Sequence, residues 1–162
     1  MLIGAGGLLR AQQPAETPRI VIDTAVQRFA IPDCVSRQSD DQTREACRSV
    51  TAVLRNDLKF EGLFQFVPES LLRAIPPQAD APNFEDWKGI GAKILVVTRA
   101  DVTGGELNLE LRVYFVDSGQ TMMAKRYSGR ADNPRVFAHQ ASDDIMTLTQ
   151  YRGVARTKLA FV

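Results

Sequence analysis

Apolar positions along the chain switch between a three-to-four-residue spacing and strict alternation, and the switches mark out its elements. Ala46, Val50, Val53, Leu54 and Leu58 recur three and four apart, which predicts an amphipathic helix over Asp41 to Lys59. Ser39, Asp40 or Asp41 can cap it. Before it, Arg19 to Val26 reads as an extended segment, and Arg28 to Pro32 as a short strand stopped by its proline. After it come a short strand over Leu63 to Val67, closed by Pro68, and a surface loop from Ile75 to Pro82. A short helix starting at Asn83 carries Phe84, Trp87 and Ile90 inward and ends at Gly89 and Gly91.

The second half opens on Lys93 to Val102, apolar almost without a break, which suits a strand buried on both faces. Thr103-Gly104-Gly105 is a turn. Leu107, Leu109, Leu111, Val113 and Phe115 then alternate along one strand face. Asp117 to Gln120 makes a tight hairpin, from which Thr121 to Ser128 returns. Following Asn133-Pro134, the positions Val136, Phe137, Ala141, Ile145 and Leu148 predict a second amphipathic helix, and Ala155 to Val162 reads as a last strand. Early strands, one helix, a central meander and a late helix imply an α/β fold, with a mixed sheet and helices packed on it.

Composition narrows the class without changing that outline. Of 162 residues, 44% are hydrophobic and 24% charged, values of an ordinary globular domain. The formal charge of +1 gives no field to gather nucleic acid or an anionic membrane. Arg44, Arg48 and Arg55 alternate with Asp41, Glu45 and Asp57, the pattern of a solvated helix face. No run approaches the roughly 18 apolar residues that span a bilayer. The apolar stretch Leu2 to Leu9 resembles the hydrophobic region of a secretory signal that has lost its beginning. Residues 1–18, with Pro14 and Pro18, are therefore expected to be a signal-peptide remnant or disordered leader outside the fold.

Export would give the two cysteines a meaning. Cys34, expected in a loop, and Cys47, in the first helix, are a disulfide candidate, and closing so short a loop would contribute about 3 kcal/mol. The alternative is two buried thiols acting as small hydrophobes. A zinc site lacks ligands, because only His139 could join the cysteines and it sits far along the chain.

Catalytic chemistry has a thin basis. His139 precedes Ser142, Asp143 and Asp144 on one predicted helix, which allows a nucleophile and base on one face and hence a small exported hydrolase. There is no Gly-x-Ser-x-Gly elbow, and a polar helix face is the simpler reading. Gly89-x-Gly91 and Gly104-Gly105 match no phosphate-binding fingerprint. Asp23, Asp101 and Asp117 fall at strand ends or turns, where carboxylates cap backbone amides, and Trp87 reads as an anchor under the short helix. Arg19-Ile20-Val21-Ile22-Asp23-Thr24-Ala25-Val26 is the segment with a functional reading. An extended strand after a tether can add to another protein's sheet edge, or it can be the first strand of its own sheet.

A family resemblance joins these pieces. Arg19 to Asp23, Asp57-Leu58 through Gly62-Leu63-Phe64, Trp87-x-x-x-Gly91-Ala92 and Val116-Asp117-x-Gly119 occur in order. Ala138-His139-x-Ala141-Ser142-Asp143-Asp144-Ile145 then leads to Gly153-Val154-Ala155-Arg156-Thr157-Lys158-Leu159-Ala160-Phe161-Val162. Over residues 19–162 the chain resembles the N-terminal domain of the TolB family of the periplasmic Tol-Pal system. The resemblance implies a three-layer α/β domain with a mixed, about five-stranded sheet and two main helices, like anticodon-binding domains. It implies a following six-bladed β-propeller, absent here, that carries the sites for the Pal-type lipoprotein and for colicins. It also implies that the N-terminal segment binds a TolA-type inner-membrane protein, in support of outer-membrane integrity, cell division and protein transport. No enzymatic activity and no cofactor are implied. Two features depart from the family: the propeller is missing, and Ala25 to Gln38 holds Cys34 instead of a glycine-rich run. The fold analogy also raises a nucleic-acid-binding module, against which the near-zero charge and the export signal stand.

Overall fold

The structure is a computed structural model that describes residues 28–149 apart from 77 and 79. The extended segment Arg19 to Val26, the leader at residues 1–18 and the expected last strand Ala155 to Val162 lie outside the described residues.

Local chemistry places the first helix as expected. The Asp40 carboxylate accepts the Thr43 amide at 2.7 Å and caps α1 (Asp41–Phe60). That hydrogen bond holds the Asp40 carboxyl below its ordinary range. Two short strands precede α1: β1 (Arg28–Ala30) and β2 (Val35–Ser36). β3 (Gln65–Phe66) and the helical turn α2 (Glu69–Leu72) follow. α3 (Phe84–Gly89) starts at Asn83, whose side chain accepts the Glu85 amide. Three long elements then form the meander: β4 (Ile94–Thr103), β5 (Glu106–Phe115) and β6 (Gln120–Arg130). Gly104 and Gly105, both at positive φ, make the two-residue turn between the first two. α4 (Pro134–Met146) closes the described chain.

The strands lie in the order β3-β1-β4-β5-β6, with β2 pairing to β4 off that path. β1, β2, β3 and β4 pair in parallel, and β4, β5 and β6 antiparallel, so the sheet is mixed. α1 and α4 cover one face, where Leu54, Leu58, Ile145 and Met146 meet Ile94, Val96, Leu111 and Val113. α2, α3 and Ile75 cover part of the other, where Leu72 and Trp87 meet Leu95, Val97 and Tyr114. Because neighbouring residues of a strand point to opposite faces, these two clusters lie on either side of the sheet and give the domain three layers. Ile94 to Ala100 are all buried, as a strand covered on both faces requires.

Three details differ from the sequence reading. β2 and α2 were not expected, and β2 adds a sixth strand to the five in line. Val136, expected on the apolar face of α4, is 44% exposed. It sits at the helix start, and the buried face is instead Ala138, Ala141, Ser142, Ile145 and Met146. Arg55, expected on the solvated face of α1, turns inward and serves the site described next.

Candidate functional site

The partner-binding candidates Arg19, Ile20, Val21, Ile22, Asp23, Thr24, Ala25 and Val26 lie outside the described residues. What the structure does describe is the body from which they emerge. β1, described from Arg28 onward, occupies an inner position in the sheet, parallel to β3 on one side and to β4 on the other.

The chain just past β1 is fastened to α1 from a single helix stripe. Cys47, Thr51 and Arg55 are four residues apart and so share one side of α1. Arg55 donates from Nε and Nη2 to the Ile31 carbonyl, at 3.0 and 2.7 Å, and its Nη2 lies 3.0 Å from the Asp33 carboxylate. Thr51 Oγ1 accepts the Cys34 amide at 2.9 Å. Cys34 is joined to Cys47 as a disulfide, with Cα atoms 5.1 Å apart. One turn earlier on the same stripe, Thr43 Oγ1 accepts the Val102 amide of β4 at 3.1 Å. The helix thus grips both the exit of β1 and the end of the neighbouring strand. Among the described residues three small cavities border Arg55, and one of them, of about 350 Å³, runs along the stripe itself past Cys34, Cys47 and Thr51. A second, of about 230 Å³, is lined by Pro32, Asp33, Leu72, Arg73 and Ile75. The third, of about 220 Å³, is lined by Phe29, Lys59, Phe66, Pro68 and Glu69.

A second polar cluster sits on the half of the other sheet face beyond α3. Glu110, on β5, is only 13% exposed in its side chain and faces four arginines. Arg99 reaches it at 2.6 Å, Arg126 at 3.0 Å, Arg37 at 3.5 Å and Arg112 at 3.8 Å. Arg99 also binds Asp80, and Arg37 lies 3.7 Å from Asp101. Burial pushes the Glu110 carboxyl up, but the Arg99 hydrogen bond and the charges of Arg99, Arg37 and Arg126 outweigh it and hold the group below its ordinary range. Sequence reading missed this cluster. Its signal was the Gly104-Gly105 turn, which fixes a register that sets Arg99 opposite Glu110.

The candidate hydrolase residues are placed for packing. His139 Nδ1 lies 2.6 Å from the Asp57 carboxylate and ties α4 to α1. Ser142 is fully buried, and its Oγ has no hydrogen-bond partner. A hydroxyl so placed cannot meet a substrate. Asp117 pairs with Lys93 at 2.9 Å rather than capping a turn. Among the described residues no group of three His, Cys, Asp or Glu is placed to hold a metal ion, and no helix is long and apolar enough to cross a membrane.

Comparison with known proteins matches the TolB amino-terminal domain to residues 19–122. The Tol-Pal system protein TolB of Geobacter metallireducens is 35% identical over 132 residues, covering 80% of this chain and 31% of that protein. The protein of the same name in Pseudomonas syringae pv. syringae is 29% identical over 111 residues, covering 68% of this chain and 26% of its own length. The chain therefore spans about a third or less of the curated relatives it matches. Among solved structures, TolB from Acinetobacter baumannii superposes with a TM-score of 0.60 at 19% identity, over 81% of this chain and 30% of that one. A PelC dodecamer from Paraburkholderia phytofirmans superposes at 0.51 and 12% identity, over 81% of this chain and 93% of its own, which is a likeness of fold.

Proposed function

This chain belongs to the family of the TolB amino-terminal domain, and from that premise we propose that it is a non-catalytic periplasmic adaptor of the Tol-Pal system. Its working segment is Arg19 to Val26, which adds as a strand to the sheet edge of a TolA-type inner-membrane protein. The observation that carries this reading is the start of the family match at Arg19, which brings the segment into the domain directly ahead of β1. The disulfide supports an oxidising compartment outside the cytoplasm. In the adaptor, residues 19–162 act as one domain behind the leader at 1–18. Contacts with a Pal-type lipoprotein would belong to a propeller domain outside residues 19–162, and through both partners the whole protein serves outer-membrane integrity and cell division.

Mechanistically, backbone hydrogen bonds give the added strand its affinity, and Ile20 and Ile22, on one side with Val21 opposite, give it specificity. The segment can also rest on its own domain, and the two positions compete, so whatever favours the resting position weakens partner binding. The test is deletion of residues 1–26, followed by calorimetric titration with the C-terminal domain of a TolA-type protein. Binding should be lost while the thermal unfolding curve stays within a few degrees. Unchanged affinity in the deleted form refutes the reading.

A further inference from the structure

The two edges of the sheet are treated differently. β3 is two residues long and is closed by Pro68, so it offers almost no backbone to another strand. β6, at the opposite edge, runs for 11 residues, about 36 Å of strand. Its irregularity is confined to the start, opposite Val113 and Tyr114. From Met123 to Arg130 it pairs residue for residue with β5, and among the described residues no strand pairs with its outer side.

Natural proteins usually guard such an edge with lysines that stand over it, or with a proline. β6 has no proline, and its cations are drawn inward over its own sheet. Lys125 reaches Asp144 of α4 at 2.8 Å on one face. Arg126 reaches Glu110 at 3.0 Å on the other. Arg130 folds onto Asp132 at 2.6 Å. Among the described residues nothing pairs with the outer backbone, and the strand is cationic, with three basic side chains and no acidic one between Gln120 and Arg130. Arg126 shares Glu110 with Arg99, Arg37 and Arg112, and of these only Arg99 and Arg37 have a further carboxylate among the described residues, Asp80 and Asp101, so the cluster keeps an excess of positive charge on the side of Arg126 and Arg112.

We propose that the outer edge of β6 takes up an extended acidic segment of another protein as an added strand, with its carboxylates over Arg126 and Arg112. The charge decides the occupant. A second copy of this chain would bring three more cations to the seam and no carboxylate, whereas an acidic strand satisfies both the open backbone and the under-neutralised arginines. This surface lies on the opposite edge of the sheet from β3 and is separated from β1 by β4 and β5. It is independent of Arg19 to Val26, so deleting residues 1–26 should leave it intact.

The probe is a synthetic ten-residue peptide of alternating threonine and glutamate, with its threonine–lysine counterpart as control, added to the full chain. The readouts are amide hydrogen exchange and backbone NMR shifts. Alternate amides between Met123 and Arg130 should gain protection with the acidic peptide only, and added salt should weaken binding. Joint substitution Lys125→Glu and Arg126→Glu should weaken binding by about tenfold or more. Ala124→Pro should remove it; if that variant fails to fold, the charge reversals, which change only exposed side chains, still test the idea. Equal binding of the lysine peptide would overturn the proposal. So would protection at β3 in place of β6, or protection of β6 without peptide that rises with protein concentration, which would make a second copy the occupant.

Discussion

Removing the Cys34–Cys47 bridge, by reduction or by Cys34→Ala with Cys47→Ala, tests how the exit of β1 is held. The bridge closes a loop across a sequence separation of 13. In the chain-entropy account a loop of that size restricts the unfolded chain by about 3 kcal/mol. The other two grips survive the loss. The Thr51 hydrogen bond to the Cys34 amide contributes about 1 kcal/mol, and the charged donor Arg55 on the Ile31 carbonyl contributes about 1.5–3 kcal/mol. The native fold should therefore persist with Ile31 to Cys34 still on α1, and the loss should appear in the unfolded state. Urea unfolding followed by far-ultraviolet circular dichroism should show stability lower by about 3 kcal/mol. The denaturant slope should rise, since the unfolded chain opens further without the cross-link. The melting temperature should fall by about 10 °C. Cys47 is 5% exposed, so the double alanine variant carries a small cavity cost that simple reduction does not. A loss below about 1 kcal/mol with an unchanged slope would refute the entropic reasoning and place the holding of this segment in Thr51 and Arg55 alone.

Two other substitutions probe the interior. Glu110→Gln should cost about 2 kcal/mol near neutral pH by weakening the bond to Arg99. Because the folded carboxyl ionises at lower pH than the unfolded one, its contribution is complete above the unfolded value of about 4.3 and drains away as pH falls through the lower folded value. Denaturation curves between about pH 3 and pH 7 should lose that slope in the variant, and an unchanged slope would show that other carboxylates carry it. Ser142→Ala should stabilise the domain by about 1 kcal/mol, because it removes a buried hydroxyl without a partner from a helix interior. A clear loss of stability would mean that the hydroxyl makes a contact with the helix packing it against α1.

Legibility in the sequence followed the reach of each interaction. α1, β4, β5 and α4 could be read because their patterns are local and long: a stripe at helical spacing, an unbroken apolar run, an alternating strand. β2 could not, since two residues form a strand only by meeting Arg99 and Ala100 across the sheet. α2 was hidden behind Pro68, which stops β3 and also opens the next helical turn, proline being suited to both tasks. Arg55 looked like one more cation in an alternating series, and nothing nearby in sequence announces that the carbonyl 24 residues earlier accepts from it. Arg99 was legible in part. An arginine inside an apolar strand needs a partner, and the register set by the glycine turn supplies Glu110. The functional reading of Arg19 to Val26 came from family resemblance; composition alone favoured the first strand of its own sheet.

The stripe on α1 also bears on how a force applied ahead of β1 would be carried. A pull on residues 19–26 acts along β1, away from Ile31 to Cys34. β1 is flanked by parallel partners on both sides, so the pull strains its hydrogen bonds together in shear rather than opening them one at a time. Past β1 the same pull meets Arg55, Thr51 and a covalent bond in turn, each seated on one helix whose far side is packed on α4 and the sheet. The disulfide, placed four residues beyond the end of β1, backs the strand up: what slips past Ala30 is caught at Cys34. On this argument the cysteine that stands where a glycine-rich run was expected adds a covalent stop behind β1 that glycines could not supply.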